Sequence, residues 1–152
     1  MLNIKNIIVP TDFSKLSLSA LEYAKDLAEI TSSTIHLIYV LEKTPPFLAV
    51  HPLNLSEKQV LEMMENEANR QLSDQAQILR EETNVKIVEV CRKGIDYKEI
   101  VNYSKEVVNT MIVIATHGRT GVLHALLGSV AEKVISYAKC PVLVISPEEE
   151  EA

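Results

Sequence analysis

Five short runs rich in isoleucine and valine punctuate the chain: residues 4–10 (IKNIIVP), 34–41 (TIHLIYVL), 85–91 (VKIVEVC), 111–115 (MIVIA) and 141–146 (PVLVIS). Several are almost continuously apolar, the pattern of strands covered on both faces rather than one. Between them the apolar residues recur at helical spacing. Leu16, Ala20, Tyr23 and Leu27 share one face of a first helix, and Val60, Met63, Met64, Leu72, Ala76 and Leu79 mark a long second one. Ile100, Val101, Val107 and Val108 mark a third helix, and Val130, Val134 and Ala138 a fourth. Strands that alternate with helices in this way predict a parallel sheet with helices on both faces. At 152 residues the chain has room for one such core. The expected organisation is a single domain over residues 1–146 and a disordered acidic tail over 147–152 (PEEEEA).

Composition narrows the function classes. The formal charge is −6 and the longest charge run, residues 148–151, is acidic, so no basic field attracts nucleic acid. No apolar run approaches the roughly 18 residues needed to cross a bilayer, and the first residues lack a signal-peptide pattern. A cytoplasmic protein that engages neither nucleic acid nor membrane is the expectation. Cys91 and Cys140 are far apart and lie beside apolar runs, which suits reduced, mostly buried thiols. His36, His51, His117 and His124 have no metal-ligand spacing, so surface or packing positions are expected and no metal site is assigned.

The stretch ATHGRTGVLHALLGSVAEKV, residues 115–134, gathers three of the four glycines and holds no acidic residue before Glu132. It follows the fourth strand and leads into the fourth helix. In open parallel sheets the ligand crevice lies beyond the carboxyl ends of the strands, where strand order reverses. In a flavodoxin-like (Rossmann-like) order of 3-2-1-4-5, that point lies between strands one and four. The turn after strand one, PTDFS, then faces the glycine stretch across a single crevice. Gly118 permits a close approach, and Gly128 precedes the helix start, whose amides at Ser129, Val130 and Ala131 carry the positive end of the helix dipole. Arg119 adds a charge-assisted donor for an anion. A competing reading makes Ser129 and Glu132 a capping box that satisfies the helix start internally. Asp12 and Ser14 could likewise serve only to cap the first helix. The connection over residues 42–55, with Pro45, Pro46 and Pro52 among Phe47, Leu48 and Val50, is either a mobile link or a flap.

The segments IIVPTDFS, VIATHGRTGVLHALLGSVAEKVI and CPVLVIS together resemble the universal stress protein family, over essentially residues 3–146. The ATP-binding branch of that family carries Gly-x2-Gly-x9-Gly-Ser/Thr. The second and third glycines correspond to Gly118 and Gly128, followed by Ser129, while Ala115 stands at the first glycine and adds one methyl group. The resemblance implies ATP as ligand, with Mg2+ bound through its phosphate oxygens. It implies that Asp12 holds the adenosine, that Pro10 and Thr11 shape the wall, and that the backbone at Val40 meets the adenine. It also implies that the amides at His117, Gly118, Ser129, Val130 and Ala131, the Ser129 hydroxyl and Arg119 hold the phosphates. A homodimer through the last strand, bounded by Pro141 and Ser146, is implied as well. Three functions stay open: a nucleotide-responsive binding module in the stress response, a slow ATPase or autophosphorylating enzyme, and a nucleotide-free dimer. Hydrolysis needs a positioned base and charge stabilisation, and the stretch has no P-loop lysine.

Overall fold

The computed structural model describes residues 2–42, 56–116 and 127–146. The elements are β1 (Asn6–Pro10), α1 (Lys15–Thr31), β2 (Thr34–Leu41), α2 (Glu57–Glu82), β3 (Ile87–Lys93), α3 (Asp96–Glu106), β4 (Thr110–Ala115), α4 (Ser129–Tyr137) and β5 (Val142–Ile145). The five strands form one parallel sheet in the order β3-β2-β1-β4-β5, as the alternating pattern anticipates. The connection read as either a mobile link or a flap, from residue 43 onward, and the acidic tail lie outside the described residues.

β1 occupies the centre, and its apolar run explains why. Ile7, Ile8 and Val9 are all fully buried, because successive side chains enter different layers. Ile7 and Val9 pack with Ala20, Ala24 and Ala28 of α1 and with Leu72, Ala76 and Leu79 of α2. Ile8 enters the opposite layer with Ile100 and Tyr103 of α3 and Ala131 and Val134 of α4. Each such isoleucine contributes about 1.5–3 kcal/mol through burial. The crossovers from β1 and β2 therefore cover one face, and those from β3 and β4 the other. The winding direction reverses between β1 and β4.

In two helices one large apolar residue is turned away from the buried face that the spacing suggests. In α1 the contact line is Ser17, Ala20, Ala24 and Ala28, whereas Tyr23 is 52% exposed. Small side chains at i, i+4 spacing let the helix approach the sheet closely, and the tyrosine is turned outward. In α2, Ala68, Leu72, Ala76 and Leu79 face the sheet, and Met63 is exposed. This helix opens on a true capping box, with the Ser56 hydroxyl accepting from the Gln59 amide and the Gln59 side chain accepting from the Ser56 amide. The third helix stops at Glu106. Val107 is already extended and Val108 is 75% exposed, because Asn109 at φ 51° turns the chain into β4.

The two sheet edges differ in chemistry. β3 carries Glu89, Arg92 and Lys93, paired respectively with Arg80 (3.0 Å), Glu106 (2.6 Å) and Glu65 (2.5 Å). β5, VLVI, carries no charge, and its Leu143 is 39% exposed. Cys91 and Cys140 are free and half-buried, and burial pushes both thiols above their ordinary range.

Candidate functional site

At the carboxyl end of β1 the chain makes a tightly determined turn. Pro10 closes the strand, and the Thr11 amide donates to the Ile38 carbonyl of β2 at 2.9 Å. Thr11 is buried. Its hydroxyl accepts from the Phe13 amide (3.1 Å), lies 3.2 Å from the Ser17 hydroxyl and donates to Gln75 of α2 (3.3 Å). One carboxylate oxygen of Asp12 accepts from the Ser14 amide at 2.9 Å. Ser14 caps α1 by accepting from the Ser17 amide at 3.3 Å. Of the two capping candidates, the sequence thus uses Ser14 for the helix, and Asp12 fixes the turn before it.

The facing wall comes from β4 and α4. Ala115 is the last residue of β4 and pairs in register with Ile145. It is not among the residues with positive φ, so the strand end makes no conformational demand for glycine there. The Thr116 amide donates to the Ile145 carbonyl (2.9 Å), and the Thr116 carbonyl accepts from the Gly128 amide at 2.6 Å. That second bond returns the chain to the point from which it left and anchors the start of α4 beside the end of β4.

The helix begins differently from one of the two readings above. Gly128, not Ser129, is the N-cap, and no side-chain cap hydrogen bond forms. The capping box expected from Ser129 and Glu132 is therefore not made: Ser129 is already the first helical residue, one position too late for its hydroxyl to cap. Gly128 has φ −59° and ψ 152°, angles open to any residue. The backbone there therefore makes no conformational demand for glycine. The amides of Ser129, Val130 and Ala131 are the unmatched donors of the first turn, and they carry the positive end of the helix. Ala131 also anchors the helix, its side chain buried against Ile8 and Ile112.

Val40 lies near the carboxyl end of β2, in register with Arg92 and packed into the α3–α4 layer. Pro10, Thr11, Asp12, Val40, Ala115, Gly128, Ser129, Val130 and Ala131 thus all lie at carboxyl strand ends or at the helix start beside them. His117, Gly118 and Arg119 lie outside the described residues. Among the described residues no group of three or more His, Cys, Asp or Glu side chains is placed to hold a metal ion, and no helix is long and apolar enough to cross a membrane. Sequence reasoning missed Phe13 and Tyr39, whose rings stack at 4.8 Å beside this turn, because neither belongs to a recognisable binding pattern.

A parallel sheet of this order, with its reversal point between β1 and β4 and helices on both faces, is a flavodoxin-like α/β domain. The sequence profile of the universal stress protein family matches residues 3–146, and the chain belongs to that family. Universal stress protein MJ0531 of Methanocaldococcus jannaschii is 35% identical over 147 residues, covering 97% of this chain and 85% of that protein. Universal stress protein UspA from Lactobacillus plantarum superposes with a TM-score of 0.78 at 22% identity, covering 94% and 98% of the two chains. A universal stress protein from Archaeoglobus fulgidus, solved in complex with dAMP, superposes with a TM-score of 0.64 at 23% identity, covering 95% and 99%. At these identities the two structural likenesses speak to the fold.

Proposed function

We propose that the protein is a cytoplasmic ATP-binding module whose nucleotide occupancy regulates a partner in the stress response. The observation that carries this reading is the start of α4: a helix that opens at a glycine without a side-chain cap, tied to Thr116 at the switch point, across from the fixed Asp12 carboxylate. Such a start offers backbone donors and a positive dipole end to an anion. Asp12 holds the adenosine, with Pro10 and Thr11 as its wall and the backbone at Val40 along the base. The Ser129, Val130 and Ala131 amides and the Ser129 hydroxyl take phosphate oxygens, joined by His117, Gly118 and Arg119. Mg2+ accompanies the phosphates through their own oxygens. The dAMP complex of the Archaeoglobus fulgidus relative supports a nucleotide as the ligand class.

The module works as a homodimer through β5. That edge has exposed apolar character and no charge, whereas the opposite edge strand is blunted by Glu89, Arg92 and Lys93. The nucleotide reading is tested with Gly118→Asp, which brings bulk and negative charge to the phosphates. ATP binding, followed by calorimetry, is expected to be abolished while the melting temperature stays near that of the parent. Unchanged affinity in a folded variant would remove Gly118 from the site.

A further inference from the structure

Phe13 adopts φ 66°, the left-handed region that a residue with a large side chain rarely enters. No glycine or asparagine relieves the turn, so contacts must hold it. Three do. The Phe13 amide donates to the Thr11 hydroxyl at 3.1 Å, and the Ser14 amide that follows donates to Asp12 at 2.9 Å. The Phe13 ring lies on Tyr39 of β2, with centroids 4.8 Å apart and planes 23° from parallel. Both rings also pack against the core layer under α1 and α2.

The placement of this stack is what gives it meaning. Phe13 is the neighbour of Asp12, and Tyr39 is the neighbour of Val40. Asp12 and Val40 are the two positions assigned to the nucleoside, one in the turn after β1 and the other in β2. The ring pair therefore fastens together the two backbone walls between which the nucleoside lies. Strain of this kind persists only where surrounding contacts over-determine it, and it concentrates at ligand clamps. We infer that Phe13 is a positioning residue: its left-handed backbone and its stack on Tyr39 hold the Asp12 carboxylate at a fixed distance from the backbone at Val40, and so set affinity for the nucleoside part of the ligand. This inference rests on the nucleotide-binding reading above.

The test compares adenosine with Mg-ATP by calorimetry on the full chain, for the parent, Phe13→Gly, Phe13→Tyr and Tyr39→Leu, with the melting temperature of each measured alongside. Glycine accepts the left-handed angle without strain but cannot stack, and tyrosine keeps the stack. The stack is present with or without ligand, so its energy bounds the loss of preorganisation, and hence the effect, at about a three- to tenfold change in affinity. Phe13→Gly and Tyr39→Leu are expected to weaken adenosine and ATP by the same factor of that size, and Phe13→Tyr to bind both like the parent. A purely structural residue would lower the melting temperature and leave the affinity of the folded fraction unchanged; that result would overturn the inference. Weakening of ATP with adenosine unaffected would overturn it too, because it places the effect at the phosphates. If the parent binds both ligands and the folded variants match it, positioning by Phe13 is refuted and nucleotide binding stands. If the parent binds neither, both fall together. Should Phe13→Gly fail to fold, Tyr39→Leu removes the same stack from the β2 side.

Discussion

His36 shows how one side chain can join three elements without being a ligand. Its Nε2 lies 2.9 Å from the Asn6 Oδ1 of β1, and its Nδ1 lies 2.7 Å from the Tyr103 hydroxyl of α3. Because the Asn6 Nδ2 donates to the Val108 carbonyl (2.8 Å), the Asn6 oxygen is the acceptor. The His36 Nε2 therefore carries the proton, and Nδ1 accepts from Tyr103. Burial, with a smaller contribution from Lys86, pushes the imidazole pKa below its ordinary range. The unfolded chain then binds the proton more readily, so this part of the stability is intact above about pH 6.5 and is lost as the pH falls below it. Urea midpoints between pH 5 and pH 8 are expected to fall on the acid side in the parent and to flatten in His36→Leu. A parent curve that is flat there, or that rises toward acid, would refute the assignment. His36→Leu is also expected to cost about 1–3 kcal/mol, since it strands the buried Tyr103 hydroxyl and takes the donor from the half-buried Asn6 Oδ1. A second residue-scale feature is Gly94. At φ 151° it is the described glycine whose backbone demands glycine, and an added Cβ would meet the Glu99 carboxylate at 2.7 Å.

Among the elements, α4 separates stability from binding most cleanly. Its N-cap glycine leaves the first-turn amides without a side-chain partner, so Gly128→Asp is expected to raise stability by a few tenths of a kcal/mol while sharply weakening ATP. Thermal melts and calorimetry on the same preparation check both halves, and a variant that keeps parental affinity would mean that no anion sits at this helix start. A sheet covered on both faces was legible because Ile7, Ile8 and Val9 form a run that only a doubly covered strand can bury, whereas the strand order follows from the flavodoxin-like pattern and not from the run itself. The buried face of α1 was less so. Tyr23 looks like a core residue by type, yet Ala20, Ala24 and Ala28 fill the contact line because close helix–sheet approach favours small side chains. The start of α4 was ambiguous for a different reason. Ser129 and Glu132 have capping-box spacing, and it is the first intrahelical bond, from the Glu132 amide to the Gly128 carbonyl, that makes Gly128 the cap. Phe13 left no trace in the sequence, since left-handed turns are ordinarily signalled by glycine or asparagine.

For the molecule as a whole, the contrast between its two edge strands bears on the proposed homodimer. The charged β3 edge resists pairing and the uncharged β5 edge invites it. Leu143→Lys is expected to convert a dimer into a monomer in sedimentation equilibrium with little change in melting temperature of the protomer; a variant that still sediments as a dimer would move the interface elsewhere. The juxtaposition of the turn after β1 with the start of α4 was legible at this scale because one sheet order brings both to the same end of the sheet, whatever their separation in sequence. The proposed occupant of this end of the sheet is a nucleotide. It is sought by denaturing freshly purified protein, identifying by chromatography any nucleotide released, and titrating the emptied, refolded chain with Mg-ATP. About one ATP per chain, released or bound on titration, is the predicted result. No released nucleotide, together with neither heat nor thermal shift on titration, would contradict it.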